Sequence, residues 1–104
     1  MELQQLQQKQ EEYDKQYWQH NASKVEKVRH ITLHMGKLMG KLSNYCESEE
    51  HGKVPSMTMI EKEVVPDLLV YSLQLANLLG VNLETAYLER QAETKKRQYV
   101  SKKE

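Results

Sequence analysis

Residues 67–90 read DLLVYSLQLANLLGVNLETAYLER and include the longest strongly apolar segment of the chain. From Leu68 to Leu79, apolar side chains occur on nearly every side of a helix, which is typical of a helix buried inside a bundle or an oligomer. Gly80 favours a left-handed helix end, and Asn82 favours the cap of a following helix. The stretch therefore predicts a buried helix, a tight turn and a further helix from Leu83 to about Arg97.

A second helix is predicted upstream of this segment. Ser23 and Glu26 form an S-x-x-E pattern, in which each side chain can satisfy a free backbone donor at a helix start. The helix is expected to run from Lys24 to about Cys46. Its core-facing side chains follow 4-3-4-3 spacing: Ile31, Met35, Leu38, Leu42 and Tyr45.

The buried helix is expected to begin before residue 67. Residues 47–56, ESEEHGKVPS, are polar and read as a loop. Thr58 and Glu61 offer a second capping pattern, so this third helix is predicted from Thr58 to Leu79. Pro66 then lies inside it and predicts either a kink or a later helix start near the proline itself.

The two ends of the chain give weaker signals. A helix from about Glu2 to Trp18 has few apolar residues among many glutamines and charges, and is expected to be marginal without a packing partner. We therefore predict one all-α domain over residues 1–104, a bundle of four main helices. Residues 1–22 form its N-terminal helix and linker, and residues 98–104 a flexible charged tail.

Composition limits the classes of function. The chain has 104 residues, with 15 basic and 15 acidic side chains that cancel, which argues against a dedicated nucleic-acid or membrane-surface protein. Cys46 is the single cysteine, so no disulfide forms within the chain. The segment from Leu68 to Leu79 is too short to span a bilayer. These features predict a cytoplasmic protein without a membrane partner.

The segment from Asp67 to Arg90 resembles the signature of the MazG-like, all-α nucleoside triphosphate pyrophosphohydrolase superfamily. In that family an acidic residue opens a buried helix, and an LG-x-D/N-L turn starts the next one. The resemblance extends upstream through Trp18 and the helix from His30 to Leu42, and downstream to Arg97. It implies a MazG-like bundle completed by assembly into a homodimer or tetramer, with a nucleotide or a nucleotide-derived small molecule as ligand.

The resemblance also implies a magnesium site, and here the sequence departs from the family pattern. Members hold magnesium with an E-x-x-E pair on one helix and an E-x-x-D pair on the next. The corresponding positions in this chain are Leu38, Lys41, Val64 and Asp67. Only Asp67 can ligate magnesium, with Glu63 as a substitute one residue out of register. We therefore expect no metal or other cofactor, and Mg²⁺ only if hydrolysis persists through Asp67 and Glu63.

A row of basic and imidazole side chains lies where the family places its first carboxylates. His30, His34, Lys37 and Lys41 are spaced by 4, 3 and 4 residues and share one helix face. Three interpretations remain open: Lys41 pairs with Asp67 in a structural salt bridge, the lysines and a histidine bind ligand phosphates, or the two histidines bind a transition metal.

Four further positions are candidate ligand contacts. Arg90 and Arg97 match basic residues that lie near the substrate phosphates in the family, although they also suit a solvated helix end. Trp18 resembles an aromatic residue near the base, although packing beneath a helix end is the commoner role of a lone tryptophan. Tyr71 is expected to line up with Glu63 and Asp67, at four-residue intervals, if the third helix is continuous.

Three functions follow from these observations. The chain is interpreted first as a catalytically degenerate protein that binds or sequesters a nucleotide or nucleotide-derived signal, and we lean against an enzyme. The second interpretation is a divergent metal-dependent nucleoside triphosphate pyrophosphohydrolase. The third is a helical interaction protein that binds no ligand and whose glutamine-rich first helix contacts a partner.

Overall fold

The computed structural model describes the backbone of residues 1–18 and 21–103, and the side chains of residues 1–18 and 21–98. These residues form helices and no strand, which confirms the all-α prediction. The helices are α1 (Leu3–Tyr17), α2 (Lys24–Glu50), α3 (Val65–Leu79) and α4 (Leu83–Lys103), and a π-helical turn (Ile60–Val64) leads directly into α3.

Helix α2 begins where the sequence predicts and ends later. The Ser23 hydroxyl oxygen accepts a hydrogen bond from the Glu26 amide at 3.2 Å, and the same hydroxyl donates to the Glu26 carboxylate at 3.1 Å. The helix continues to Glu50, four residues beyond the predicted end at Cys46. The loop predicted over residues 47–56 is wrong in its first four residues, because good helix formers there extend the regular hydrogen bonding.

The third helical segment begins at Thr58, as predicted, but a different side chain caps it. Ser56, rather than Thr58, supplies the side-chain acceptor here, since its hydroxyl accepts from the Thr58 amide at 3.2 Å. The chain then forms the π-helical turn, closed by a bond from the Val65 amide to the Ile60 carbonyl. Pro66, at the start of α3, has no amide hydrogen to donate, and the wider turn before it accommodates that loss. The predicted distortion near Pro66 is therefore present as a π-helical turn.

The turn between α3 and α4 follows the predicted chemistry. Gly80 has φ 67° and ψ 31°, the left-handed conformation in which a side chain is costly. The Val81 amide reaches back to the Ala76 carbonyl at 2.8 Å, and the Asn82 side chain accepts from the Thr85 amide at 3.1 Å. Both predicted signals are confirmed.

Helix α4 is longer than predicted. Its backbone continues to Lys103, six residues past the expected end at Arg97. The flexibility predicted for residues 98–104 stays a prediction, and residue 104 lies outside the described residues.

Helix α3 lies between α1 and α2 and contacts both, while α4 contacts α1. Its central position matches the prediction from its apolar sequence. The hydrophobic core of the described residues is small and is formed mainly where α3 and the π-helical turn meet their neighbours: Ile31, Leu38, Val64, Leu73 and Ala76. Of the five side chains predicted to face the core from α2, two are fully buried and the other three are half-buried.

Gln7 ties the marginal first helix to the rest of the fold. Its side-chain amide donates to the Val81 carbonyl at 2.6 Å, and its side-chain carbonyl accepts from the Leu83 amide at 3.0 Å. Asn77 donates to the Gln7 backbone carbonyl at 3.0 Å. Helix α1 is therefore held by directed hydrogen bonds to the α3–α4 turn as well as by apolar contact.

Candidate functional site

The imidazole groups predicted to share a face of α2 lie side by side. The ring centroids of His30 and His34 are 4.3 Å apart, and the ring planes are tilted by 46°. This is the geometry expected for residues four apart on a helix, whose side chains lie one above the other. The pair forms the centre of the candidate site.

Two other segments add a ring at each end of this pair. Trp18, immediately after α1, places its ring centroid 5.9 Å from that of His30. Tyr71, on α3, places its ring centroid 5.8 Å from that of His34. Residues from three separate segments thus form one continuous row of rings, which we call the ring ladder: Trp18, His30, His34 and Tyr71.

Positive charge lies along the same side of α2. The Lys27 ammonium is 5.5 Å from the Trp18 ring centroid, within the range of a cation–π contact. Lys37 and Lys41 are exposed, one and two turns beyond His34. The ring ladder is therefore accompanied by ammonium groups at both ends of its helical face.

The surroundings of His34 and Tyr71 favour the neutral forms of these two side chains. Burial lowers the pKa of His34 below its ordinary value of 6.5, and the neighbouring His30 and Lys37 lower it further. Burial raises the pKa of Tyr71 above 10.0, and the nearby Asp67 carboxylate adds to the effect. At neutral pH, His34 thus offers one donor and one acceptor nitrogen, and Tyr71 keeps its hydroxyl proton.

The lowered pKa of His34 predicts an acid-sensitive fold. As pH falls below about 6.5, the unfolded chain takes up a proton at this position before the folded chain does, so folding loses stability until the folded-state pKa is passed. Urea unfolding midpoints should therefore fall between about pH 7 and about pH 5, and this decrease should be smaller in His34→Gln. An equal decrease in both proteins would contradict the prediction.

A groove that the sequence analysis did not predict lies next to Trp18. It has a volume of about 260 Å³ and is lined mainly by polar residues: Glu11, Asp14, Lys15, Trp18, Lys27, Gln74, Asn77 and Leu78. Asp14 accepts hydrogen bonds from the side-chain amides of Gln10 and Gln74, both at 3.0 Å. Gln74 lies on α3, 60 residues from Asp14, so no spacing in the sequence could have revealed this contact.

The predicted contact between Lys41 and Asp67 is absent from the structure. Among the described side chains, the only ion pair joins Lys15 to Glu11 on α1, at 3.2 Å. Asp67 is half-buried near Tyr71, while Lys41 is exposed. The interpretation of these two residues as a structural salt bridge is therefore wrong, because their charged groups lie more than 4.0 Å apart.

Glu63 does not join the ring ladder. The alignment of Glu63, Asp67 and Tyr71 required a continuous α-helix, and the π-helical turn interrupts it. Glu63 is exposed and lines a separate depression of about 550 Å³ near the start of the segment, together with Ser56, Thr58, Met59 and Lys62.

The family-like magnesium positions do not fit the ion. Leu38 and Val64 are buried apolar side chains, with 3% and 0% of their surface exposed, and Lys41 carries a positive charge. Magnesium requires oxygen ligands, which none of these three residues supplies from its side chain. Within the described ranges, no group of three or more histidine, cysteine or acidic side chains is arranged to hold a metal ion.

Arg90 and Arg97 are exposed on α4. Their helix packs against α1, whereas Lys37 and Lys41 lie on α2. The structure does not bring these arginines to the ring ladder, so a role for them in ligand contact stays a prediction.

No described helix has by itself the length and apolar composition needed to cross a membrane. Among the described helices, only one bent pair meets these criteria jointly, with an angle of 104° between its members: Ile60–Leu79 and Leu83–Gln98.

In comparisons with known proteins, no family, no curated protein and no solved structure matches the chain. The MazG-like resemblance therefore remains an interpretation of the residues that carry it.

Proposed function

We propose that this protein binds a nucleotide or a nucleotide-derived signal on the ring ladder and retains it without cleavage. The observation that carries the proposal is the row of four rings from three segments, with lysines beside it. A flat heterocycle and a negatively charged group are the two chemical features that such a surface recognises.

The ring end of the site suits a heterocyclic base. The Trp18 face is an aromatic surface, and base stacking on such a ring is worth about 1–3 kcal/mol. The groove beside it, about 260 Å³ in volume, is smaller than the roughly 300–1,000 Å³ of pockets that enclose a whole ligand. It therefore accommodates a ring and leaves the rest of the ligand along α2.

The lysine end of the site suits phosphate. Lys37 and Lys41 follow His34 by three and seven residues, which places them about 4.5 and 10.5 Å farther along the helix axis. A neutral His34 can donate one hydrogen bond to a phosphate oxygen, and each ammonium supplies a countercharge. Phosphate can then be bound without a metal ion.

Retention without cleavage is supported by the residues that replace the expected metal ligands. Metal-assisted hydrolysis uses several carboxylates to hold the ions that polarise the phosphate and a water molecule. Two of the corresponding positions are filled by core residues, Leu38 and Val64, and a third by Lys41. Of the four expected ligands, only the Asp67 carboxylate remains.

The test is incubation of the purified protein with a panel of mono-, di- and triphosphate nucleotides and of dinucleotide signals, with and without magnesium. Mass spectrometry then identifies what remains free and what heat releases from the protein. We expect one ligand class to be recovered intact from the protein, whether or not magnesium is present. A magnesium-dependent monophosphate product would instead establish the hydrolase, and a panel left wholly free would contradict the proposal and point to the interaction protein.

A matched pair of variants locates the bound ligand. Trp18→Ala removes the end of the ring ladder and is expected to weaken binding at least about tenfold, as measured by calorimetry. Tyr87→Ala removes an aromatic ring that is 59% exposed on α4, away from the ladder, and should leave the affinity unchanged. Equal losses in both variants would place the ligand elsewhere.

A further inference from the structure

The groove beside Trp18 contains a buried acceptor that the fold leaves without a partner. Gln74 lines this groove, and only 9% of its surface is exposed. Its side-chain amide donates to Asp14, whereas its side-chain carbonyl is covered from solvent and accepts no hydrogen bond from the residues that the structure describes. A buried polar atom without a partner is rare in a native fold and costs stability. A bound molecule that donates a hydrogen bond would satisfy it.

Asp14 presents a second free acceptor in the same groove. Its Oδ1 atom accepts from the side-chain amides of Gln10 and Gln74, both at 3.0 Å. Its Oδ2 atom has no hydrogen-bond or ion-pair partner among the described residues, although a carboxylate can accept about four hydrogen bonds. The bond between Gln74 and Asp14 joins the two groups that carry the free oxygens, so these oxygens are close neighbours.

The amide nitrogens that line the groove are engaged within the fold. The Gln74 amide donates to Asp14, and the Asn77 amide donates to the backbone carbonyl of Gln7, both at 3.0 Å. The oxygens of these side chains are the atoms left to meet a ligand. The groove therefore calls for a ligand whose edge carries hydrogen-bond donors.

The charged groups of the groove balance one another. Two carboxylates and two ammonium groups line it: Glu11, Asp14, Lys15 and Lys27. Lys15 pairs with Glu11 at 3.2 Å, and the Lys27 ammonium lies 5.5 Å from the Trp18 ring centroid. A cationic ligand would meet like charge as well as opposite charge, so its charge gives little net attraction. The groove suits an uncharged ring that donates hydrogen bonds.

Guanine differs from the other common bases in the edge that it presents to such a groove. It carries a ring N–H directly beside an exocyclic amino group, which are two adjacent donors. Adenine and cytosine place an acceptor nitrogen beside the amino group, and uracil and thymine place carbonyl oxygens on both sides of one N–H. An acceptor that faces another acceptor is repelled and stays unpaired, which lowers the affinity for the wrong base.

We propose that this groove selects guanine, whose ring N–H donates to Asp14 Oδ2 and whose amino group donates to the Gln74 carbonyl. The inference rests on the proposed function, because it names the base of the same nucleotide ligand. Since the Gln74 carbonyl is covered from solvent, a small movement of its side chain must accompany binding. Stacking on the Trp18 ring holds the base in the groove, and the two acceptors distinguish guanine from other bases.

The test measures dissociation constants of the wild type for GTP, ITP, ATP, CTP and UTP without magnesium, from the midpoints of tryptophan fluorescence titrations. Trp18 is the only tryptophan of the chain, so the signal reports on this groove. GTP should bind at least about tenfold more tightly than ATP, CTP or UTP, because only guanine satisfies both acceptors. ITP lacks only the amino group of GTP and should bind at least about fivefold more weakly than GTP.

A matched pair of variants tests the role of Asp14. In Asp14→Asn, the amides of Gln10 and Gln74 retain the remaining oxygen, so the new amide nitrogen takes the position of Oδ2 and opposes the guanine N–H. The ratio of GTP affinity to ATP affinity should fall to about one. Glu12→Gln removes a carboxylate from an exposed residue of the same helix, outside the groove, and should keep the wild-type ratio. Equal losses of GTP and ATP affinity in Asp14→Asn would show that Asp14 only supports the fold, and would overturn its assignment to the base.

The wild-type titrations do not depend on the folding of any variant, and they separate two kinds of failure. Tighter binding of another base, equal binding of all five nucleotides, or equal binding of GTP and ITP overturns the selection of guanine by these acceptors and leaves the proposed function standing. Binding of none of the five overturns the proposed function and this inference together.

Discussion

Replacing Ile31 with alanine is expected to lower the free energy of unfolding by about 3 kcal/mol. Ile31 is fully buried on α2, and it is one of only five fully buried hydrophobic residues among the described side chains. Truncating it loses the transfer free energy of its methyl and methylene groups and leaves a cavity. A core this small has few neighbours that can move to fill the space, so little of the loss is recovered.

The measurement is urea unfolding followed by the helical circular dichroism signal, at one fixed protein concentration so that any self-association affects all proteins alike. Leu33→Ala is the matched control. It makes a similar truncation two residues away on the same helix, at a side chain that is 63% exposed, and should change stability by no more than about 0.5 kcal/mol. Similar losses in both variants would show that Ile31 is not part of a cooperative core.

The contrast between Ile31 and its neighbours also shows how far sequence patterns reach. The 4-3-4-3 spacing located the apolar side of α2 correctly, because spacing alone determines which side chains share a face. It could not tell that Ile31 and Leu38 are fully buried while Met35 and Leu42 are only half-covered. That distinction depends on where α3 crosses α2, which is a property of the tertiary structure.

The π-helical turn marks a similar limit. Pro66 predicted a disturbance, because a missing amide hydrogen must be accommodated in any helix. The way in which a helix accommodates this loss depends on how the segment packs. Here the buried Val64 holds one side of the π-helical turn against its neighbours. Because of this π-helical turn, Glu63 does not share a helix face with Asp67 as predicted.

The candidate site was predictable in part. His30 and His34 could be paired from a spacing of four, whereas the contacts of Trp18 and Tyr71 with them join three segments and depend on the packing of α1, α2 and α3. The groove beside Trp18 was missed, since its Asp14 and Gln74 are 60 residues apart. Lys37 and Lys41, by contrast, could be placed on one face of α2 from the sequence, because the charge on a helix face is a local property.

Reversing both of these charges, in Lys37→Glu with Lys41→Glu, is expected to weaken ligand binding about 100-fold, if the site binds phosphate as proposed. A hydrogen bond to a charged group contributes roughly 1.5–3 kcal/mol when its partner is buried, and less at an exposed site. About tenfold per lysine is therefore a reasonable magnitude, and carboxylates in their place add repulsion. The loss should appear in calorimetry with the ligand recovered from the nucleotide panel.

The control for this variant must separate a local contact from a change in net charge. Lys95→Glu with Lys96→Glu makes the same change in charge at two exposed lysines on α4, the helix that packs against α1. It should reduce affinity by no more than about twofold at physiological salt, because screening limits interactions between distant exposed charges. The affinity of the wild type for the ligand is also expected to fall as salt is added. The affinity of the α2 variant should fall much less. Equal losses in the two double variants would mean that net charge, and not the α2 face beside the ring ladder, attracts the ligand.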